Sequence, residues 1–177
     1  DGVAGLHIVG RDRRTSRLGF VGPIPVGTQP ETLKDFLVNK GFAPKLLVEA
    51  GLLIQPDDGG APYDRFRDRV MFPILGTQNR VIAFGGRALD KNARAKYLNS
   101  PETRLFHKGH ELYGFWHLQQ QRKRPEQVVI VEGYMDVVSL AQAGIDYAVA
   151  SLGTATTTEQ LQRLFRTTST VVCCYDG

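Results

Sequence analysis

The chain has 177 residues, room for one ordinary domain or two small ones, and its 42% hydrophobic and 23% charged residues fit a globular protein rather than a disordered one. No apolar run approaches the roughly 20 residues of a membrane span, and no basic-then-apolar leader follows Asp1, so neither membrane insertion nor secretion is expected. The formal charge of +4 is unevenly spread: residues 1–60 set 7 Lys and Arg against 7 Asp and Glu, residues 61–124 set 13 against 5, and residues 125–177 set 2 against 6. A basic middle and an acidic tail point to a surface for polyanions and a site for cations, against the plainer alternative of solvated charged faces.

The opening stretch, with Arg11, Arg13, Arg14 and Arg17 among glycines, shows no pattern. Two short amphipathic helices follow. The first starts near Pro30, carries Leu33, Phe36 and Leu37 as its apolar stripe and stops at Gly41; the second spans 43–50 and stops at Gly51. Arg65, Arg67 and Arg69 alternate, which places them on one face of an extended segment. Val70 to Ile74 continues it as a strand, residues 76–79 turn, and residues 80–84 return, giving a hairpin with a basic rim. Gly85-Gly86-Arg87 then offers backbone that a phosphate can approach closely. From Asp90 to Gly114 no periodicity is evident, and a loop that long is usually functional. Its mixture of basic and aromatic residues, including Lys96, Tyr97 and Lys108, suits single-stranded nucleic acid, although for Tyr97 or Phe106 taken singly the plainer role, pinning the loop to the core, is the favoured one. His107 and His110 are a weak metal signal without a third ligand, and Arg122-Lys123-Arg124 reads as a solvated link.

The tail alternates strand and helix. Residues 128–131 form a β-branched run typical of a buried strand, residues 134–143 switch to helical spacing, and residues 148–150 make a second strand. Thr156 and Glu159 have capping-box spacing before a helix with Leu161, Leu164 and Phe165 as its stripe, and residues 170–175 make a third strand. Short links imply right-handed crossovers and a parallel sheet, so all three strands end on one edge, where open α/β sheets hold ligands. Glu132 follows the first strand, Asp136 lies one helical turn on, and Asp176 follows the third. Converging carboxylates repel unless a hard divalent cation joins them, for which Mg²⁺ is the natural occupant. Each acid also has a local explanation, as a turn residue or a helix-start residue. Cys173 and Cys174, adjacent on a strand and pointing to opposite faces, are expected to be buried unpaired thiols in a reducing cytosol.

The segments YDRFRDRVMFPI, FGGRAL, KYLNSPET, FHKG, VEGYMDVVSLAQAGI, AVASLGTATT and CCYDG occur in the order seen in bacterial replicative DNA primases, and over about residues 18–177 the sequence resembles that family. The resemblance implies an α/β fold: an α+β basic subdomain at 18–124, then a partial Toprim domain, a parallel βαβαβ sheet, at 125–177, with residues 1–17 poorly matched and expected to be disordered. It implies that Glu132 is a catalytic residue and a metal ligand, with Asp136 and Asp176 as further ligands of Mg²⁺ or alternatively Mn²⁺. It assigns Arg87, Lys96, Tyr97, Asn99 and Lys108 to a ridge binding nucleic acid or nucleotide. The implied activity is synthesis of short RNA primers from nucleoside triphosphates on a single-stranded DNA template, in the cytoplasm and away from membranes. The family's Zn²⁺-binding N-terminal domain and helicase-binding C-terminal domain, like the second aspartate of DxD, are expected to be missing here, so the chain reads as a fragment inactive alone. The alternatives are another Toprim enzyme, a topoisomerase or nuclease, and a non-catalytic nucleic-acid-binding module.

Overall fold

The computed structural model describes residues 7–9, 18–21, 32–121, 123–153 and 155–175, the first two segments as backbone only. These fall into two compact units, one made of the described residues of 1–11, 17–73 and 84–103 and the other of those of 74–83 and 104–177.

The first unit contains most of a five-stranded sheet ordered β1-β2-β5-β6-β7, with β1 at His7–Val9, β2 at Leu18–Val21, β5 at Arg69–Leu75, β6 at Val81–Ala88 and β7 at Tyr97–Asn99. The expected hairpin is therefore present, with Asn79 in the left-handed region (φ 58°) at its turn. The strand β7 inside the supposedly irregular stretch was not foreseen. Along one face of this sheet Met71, Phe84 and Leu98 gather round the fully buried Phe66, whose ring meets Phe84 edge-on at 6.4 Å.

Both expected helices form, α1 at Leu33–Asn39 and α2 at Pro44–Glu49. Thr32 caps α1 by accepting the Asp35 N–H at 3.1 Å. Asp64 accepts the N–H groups of Leu33 and Lys34, both at 2.9 Å, satisfying two more orphan donors of the first turn. Asp64 belongs to a small antiparallel pair of strands, β3 (Leu53–Ile54) and β4 (Tyr63–Asp64).

In the second unit three parallel strands lie in the order β10-β8-β9: β8 at Gln127–Val131, β9 at Ala148–Ala150 and β10 at Thr170–Cys174. Helix α4 (Tyr134–Gln142) links β8 to β9, and α5 (Thr158–Phe165) links β9 to β10. The expected strand–helix–strand–helix–strand order is borne out. Leu112, Phe115, Leu118, Val128, Ile130, Val149 and Leu164 make the core, each contributing roughly 1.5–3 kcal/mol by leaving water. Phe115 and Leu118 come from α3 (Phe115–Gln119), a five-residue helix with no periodicity to announce it. Gly114 precedes it with φ 83°, and a β-carbon there would lie 3.0 Å from the Ala148 carbonyl. That proximity lets Tyr113 exchange two hydrogen bonds with Ala150, at 2.9 and 3.1 Å.

Four local expectations are corrected. The capping box of α5 is Thr157 with Gln160, one residue later than the Thr156–Glu159 spacing suggested. Leu164 is fully buried and Leu161 packs on the core, but Phe165 is exposed, because it falls beyond the arc that faces the sheet. Cys173 and Cys174 are free but exposed rather than buried, since β10 is an edge strand of the described sheet. Arg124 is a tie, not a solvated link: it donates to the carbonyls of Thr167 (2.6 Å) and Arg166 (3.3 Å).

Candidate functional site

In the first unit the ladder between β6 and β7 sets the side-chain directions. Gly85 pairs with Asn99, Gly86 with Leu98 and Arg87 with Tyr97. Cross-strand partners leave a sheet on the same face, and alternate residues share it, so Arg87, Tyr97 and Asn99 all project from the face opposite Leu98. Leu98 in turn packs on Phe66 and Met71. Tyr97 is 46% exposed, leaving much of its ring open, and the Lys96 Nζ lies 5.8 Å from the ring centroid, a cation–π contact. The Arg87 Nε is buried without a hydrogen bond among the described residues. An orphaned charged donor is costly, and an anionic acceptor would relieve it. Four of the five candidate ridge residues thus collect on one edge of one sheet.

Arg65, Arg67 and Arg69 do not share a face as expected. Asp68 takes a left-handed conformation (φ 52°) and breaks the alternation. Arg67 is exposed and lies 5.1 Å over the Tyr63 ring. Arg65 is half-buried and donates to the Asn99 carbonyl at 3.2 Å; burial lowers its pKa from the ordinary value, while Tyr63 acts in the opposite direction. Arg69 is buried and donates to the carbonyls of Ala95 (2.8 Å), Lys96 (3.3 Å) and Gly86 (3.3 Å). Only Arg67 of the three belongs to an outer rim; Arg69 clamps the segment that carries Lys96. Sequence reasoning missed that role, and a buried arginine leaves no signal in composition.

In the second unit Glu132 stands exposed one residue past β8. By the register of β10 on β8, Tyr175 lies alongside it. Asp136 occupies the third position of α4 and accepts the Gly133 N–H on Oδ2 at 3.0 Å, so its local role as a helix-start residue is real. Tyr175 shares a 2.6 Å hydrogen bond with Thr156. Burial raises the Tyr175 pKa; the Thr156 bond opposes this, and Cys173 and the Glu132 charge add to it. Tyr175 was not singled out from the sequence, where a strand-end tyrosine carries no distinguishing spacing, and Thr156 was read there only as a helix cap, not as its partner. Asp176 lies outside the described residues. Lys108 belongs to the second unit, in a turn closed by bonds from the His110 and Glu111 N–H groups to the His107 carbonyl.

Among the described residues no group of three metal-ligating side chains assembles. Glu132 and Asp136, both exposed and separated by one turn of chain, supply oxygen donors only. That donor set suits a hard cation such as Mg²⁺, which keeps several waters and needs only one or two carboxylates from a protein.

Comparison with known proteins adds to this geometry. A family model described as the DNA primase catalytic core, N-terminal domain, matches residues 11–119, and a Toprim-like family matches residues 129–177. The chain belongs to the bacterial DNA primases. It is 46% identical to the DNA primase of Pseudomonas putida over 177 residues, all of this chain and 26% of that protein. It is 60% identical to the DNA primase of Escherichia coli K12 over 131 residues, 74% of this chain and 22% of that one. The chain therefore spans about a quarter of the length of the curated primases it matches. Among solved structures, the E. coli primase catalytic core superposes with a TM-score of 0.77 at 52% identity, covering 90% of this chain and 49% of that one. A DNA primase domain from Pseudomonas aeruginosa gives 0.78 at 48% identity, covering 90% and 48%. A primase catalytic domain bound to single-stranded DNA gives 0.76 at 52%, covering 90% and 49%. The expected α/β class with a Toprim sheet is borne out, and the Toprim primase core family is generally metal-dependent.

Proposed function

We propose that this chain forms part of the catalytic core of a cytoplasmic DNA primase, which builds short RNA primers from nucleoside triphosphates on single-stranded DNA. In this reading residues 18–124 are the basic nucleic-acid-binding part and residues 125–177 the beginning of the Toprim part. The observation that carries it is the shared face of Arg87, Tyr97 and Asn99 across β6 and β7, with Lys96 against the Tyr97 ring. Arg87 and Lys96 neutralise phosphate charge, Tyr97 offers a stacking surface to a base, and Asn99 supplies hydrogen bonds without charge. Lys108 adds a further phosphate contact from its own unit. Glu132 and Asp136 would hold Mg²⁺ or Mn²⁺ together with Asp176, and the bound ion would supply charge neutralisation at the triphosphate and a more acidic hydroxyl. A replicative helicase is the partner that such an enzyme serves.

The test is primer synthesis by a protein of the relatives' full length that carries this stretch. Glu132→Gln keeps the side chain's shape and removes its charge, and it is expected to abolish RNA synthesis while leaving single-stranded DNA binding in place. Full synthesis by the Glu132→Gln protein would remove Glu132 from the catalytic machinery.

A further inference from the structure

Four successive carbonyls, those of Lys108, Gly109, His110 and Glu111, each accept a hydrogen bond from a side chain of α5 or its cap. Gln160 is the centre of this arrangement. It is fully buried, and its carboxamide is engaged at both ends. Oε1 accepts the Thr157 N–H at 3.0 Å, while Nε2 donates to the Lys108 carbonyl at 2.9 Å and the Glu111 carbonyl at 2.8 Å. The Thr157 hydroxyl donates to the Gly109 carbonyl at 2.6 Å and accepts the Gln160 N–H at 3.2 Å. Arg163 donates to the His110 carbonyl and to the Glu111 carboxylate, the latter at 3.1 Å, and its guanidinium lies 4.6 Å over the Phe115 ring.

A helix that needs only to be capped uses one or two of these groups. Here the cap residue, the third helical residue and a residue one turn further on all turn toward one pentapeptide turn. Carbonyls withdrawn from water require donors, and a primary amide supplies two from one nitrogen. Glutamate in that place would set a carboxylate against two carbonyl oxygens, and methionine would fill the space with no donor.

From this geometry we infer that Gln160 is a positioning residue for Lys108: it holds the main chain of the turn from which that lysine reaches nucleic-acid phosphate. The inference rests on the proposed role of Lys108. Its consequence is that a helix of the Toprim-like region, 129–177, orients a ligand residue supplied by the primase-specific region, 11–119. No covalent step is involved.

The experiment measures binding of a fluorescein-labelled oligo(dT) to a protein of the relatives' full length that carries this stretch, over a salt series, for the wild type, Lys108→Ala, Gln160→Met and the double variant. Lys108→Ala is expected to weaken binding by about tenfold and to lower the slope of log K against log salt by about 0.7, one single-strand phosphate contact. Gln160→Met should reproduce both changes, and the double variant should bind no more weakly than Lys108→Ala alone. A loss caused only by partial unfolding would leave the slope unchanged and would add to the Lys108→Ala effect. If Lys108→Ala changes neither affinity nor slope, the phosphate role of Lys108 is wrong and the inference falls with it. If Lys108→Ala behaves as expected but Gln160→Met keeps the wild-type slope, or multiplies the loss in the double variant, the positioning role is overturned and the Lys108 role stands. Should Gln160→Met fail to fold, Gln160→Asn, which keeps the amide but withdraws it by one methylene, is read by the same two criteria.

Discussion

The side chain of Arg69 passes beneath Gly86, with its Cδ 2.9 Å from the point where a β-carbon on residue 86 would stand. Phe66 closes the same space from another side at 3.0 Å. Glycine at 86 is therefore a steric requirement of the buried guanidinium. Gly86→Ala should destabilise the chain by about 1–3 kcal/mol, the usual cost of overpacking. Urea denaturation would show this as a lower midpoint at constant slope; an unchanged midpoint would mean that Arg69 can yield without loss.

Arg69 itself offers a second test. Arg69→Met keeps much of the buried volume but removes the donors to the carbonyls of Gly86, Ala95 and Lys96. A loss of about 2–3 kcal/mol is expected, since hydrogen bonds from a charged group are the stronger kind and the carbonyls are left behind. Amide hydrogen exchange should quicken first in residues 88–97. Protection there equal to the wild type's would show that other contacts hold this segment.

Lys96 and Tyr97 are adjacent but should fail differently. Lys96→Ala removes a phosphate contact, so the salt slope of oligo(dT) binding should fall by about 0.7. Tyr97→Ala removes a stacking surface, with an expected loss of about 1–3 kcal/mol in binding and no change of slope. Identical salt slopes for both variants would contradict the division of labour assigned to them.

A pH dependence follows from His117. Burial lowers its pKa from the ordinary 6.5, so the fold favours the neutral imidazole. Between the two values the unfolded chain binds more protons than the folded one, and stability therefore rises with pH in that window. The stabilisation is present above about pH 6.5 and is lost as pH falls through the folded-state value. His117→Gln should flatten the acid side of a stability profile measured by thermal unfolding; an unaltered acid limb would assign it to other groups.

Much of the second unit was legible because its elements are long enough to show a period. The β-branched run 128–131 and the helix after Gly133 lie where an unbroken apolar run and helical spacing put them, and the three-residue strand 148–150 was read from its wholly apolar run rather than from a period. What failed was short or depended on neighbours. The strand β7 has three residues and α3 has five, fewer than a period needs to declare itself. The three alternating arginines were misread because one left-handed residue, Asp68, reorients the chain between Arg67 and Arg69. The exposure of Cys173 and Cys174 depends on which strand borders β10, and that is a property of the sheet rather than of the dipeptide. At the candidate site, Glu132 and the proposed ridge residues were named from the sequence, but Arg69 and Gln160, which bond to the carbonyls of Lys96 and Lys108, were not. Buried polar side chains that bond to distant carbonyls have no local signature.

The three parallel strands of the second unit are paired to their last residues, Val131 with both Ala150 and Cys174. Glu132, Ser151 and Tyr175 consequently stand abreast, one step past the paired ends, and their spacing is inherited from the backbone ladder. Substitutions among the side chains beneath can soften this unit without redrawing that row. A one-residue slip of β10, by contrast, would carry Tyr175 out of line and turn both cysteines to the opposite faces, so the row is set by strand alignment.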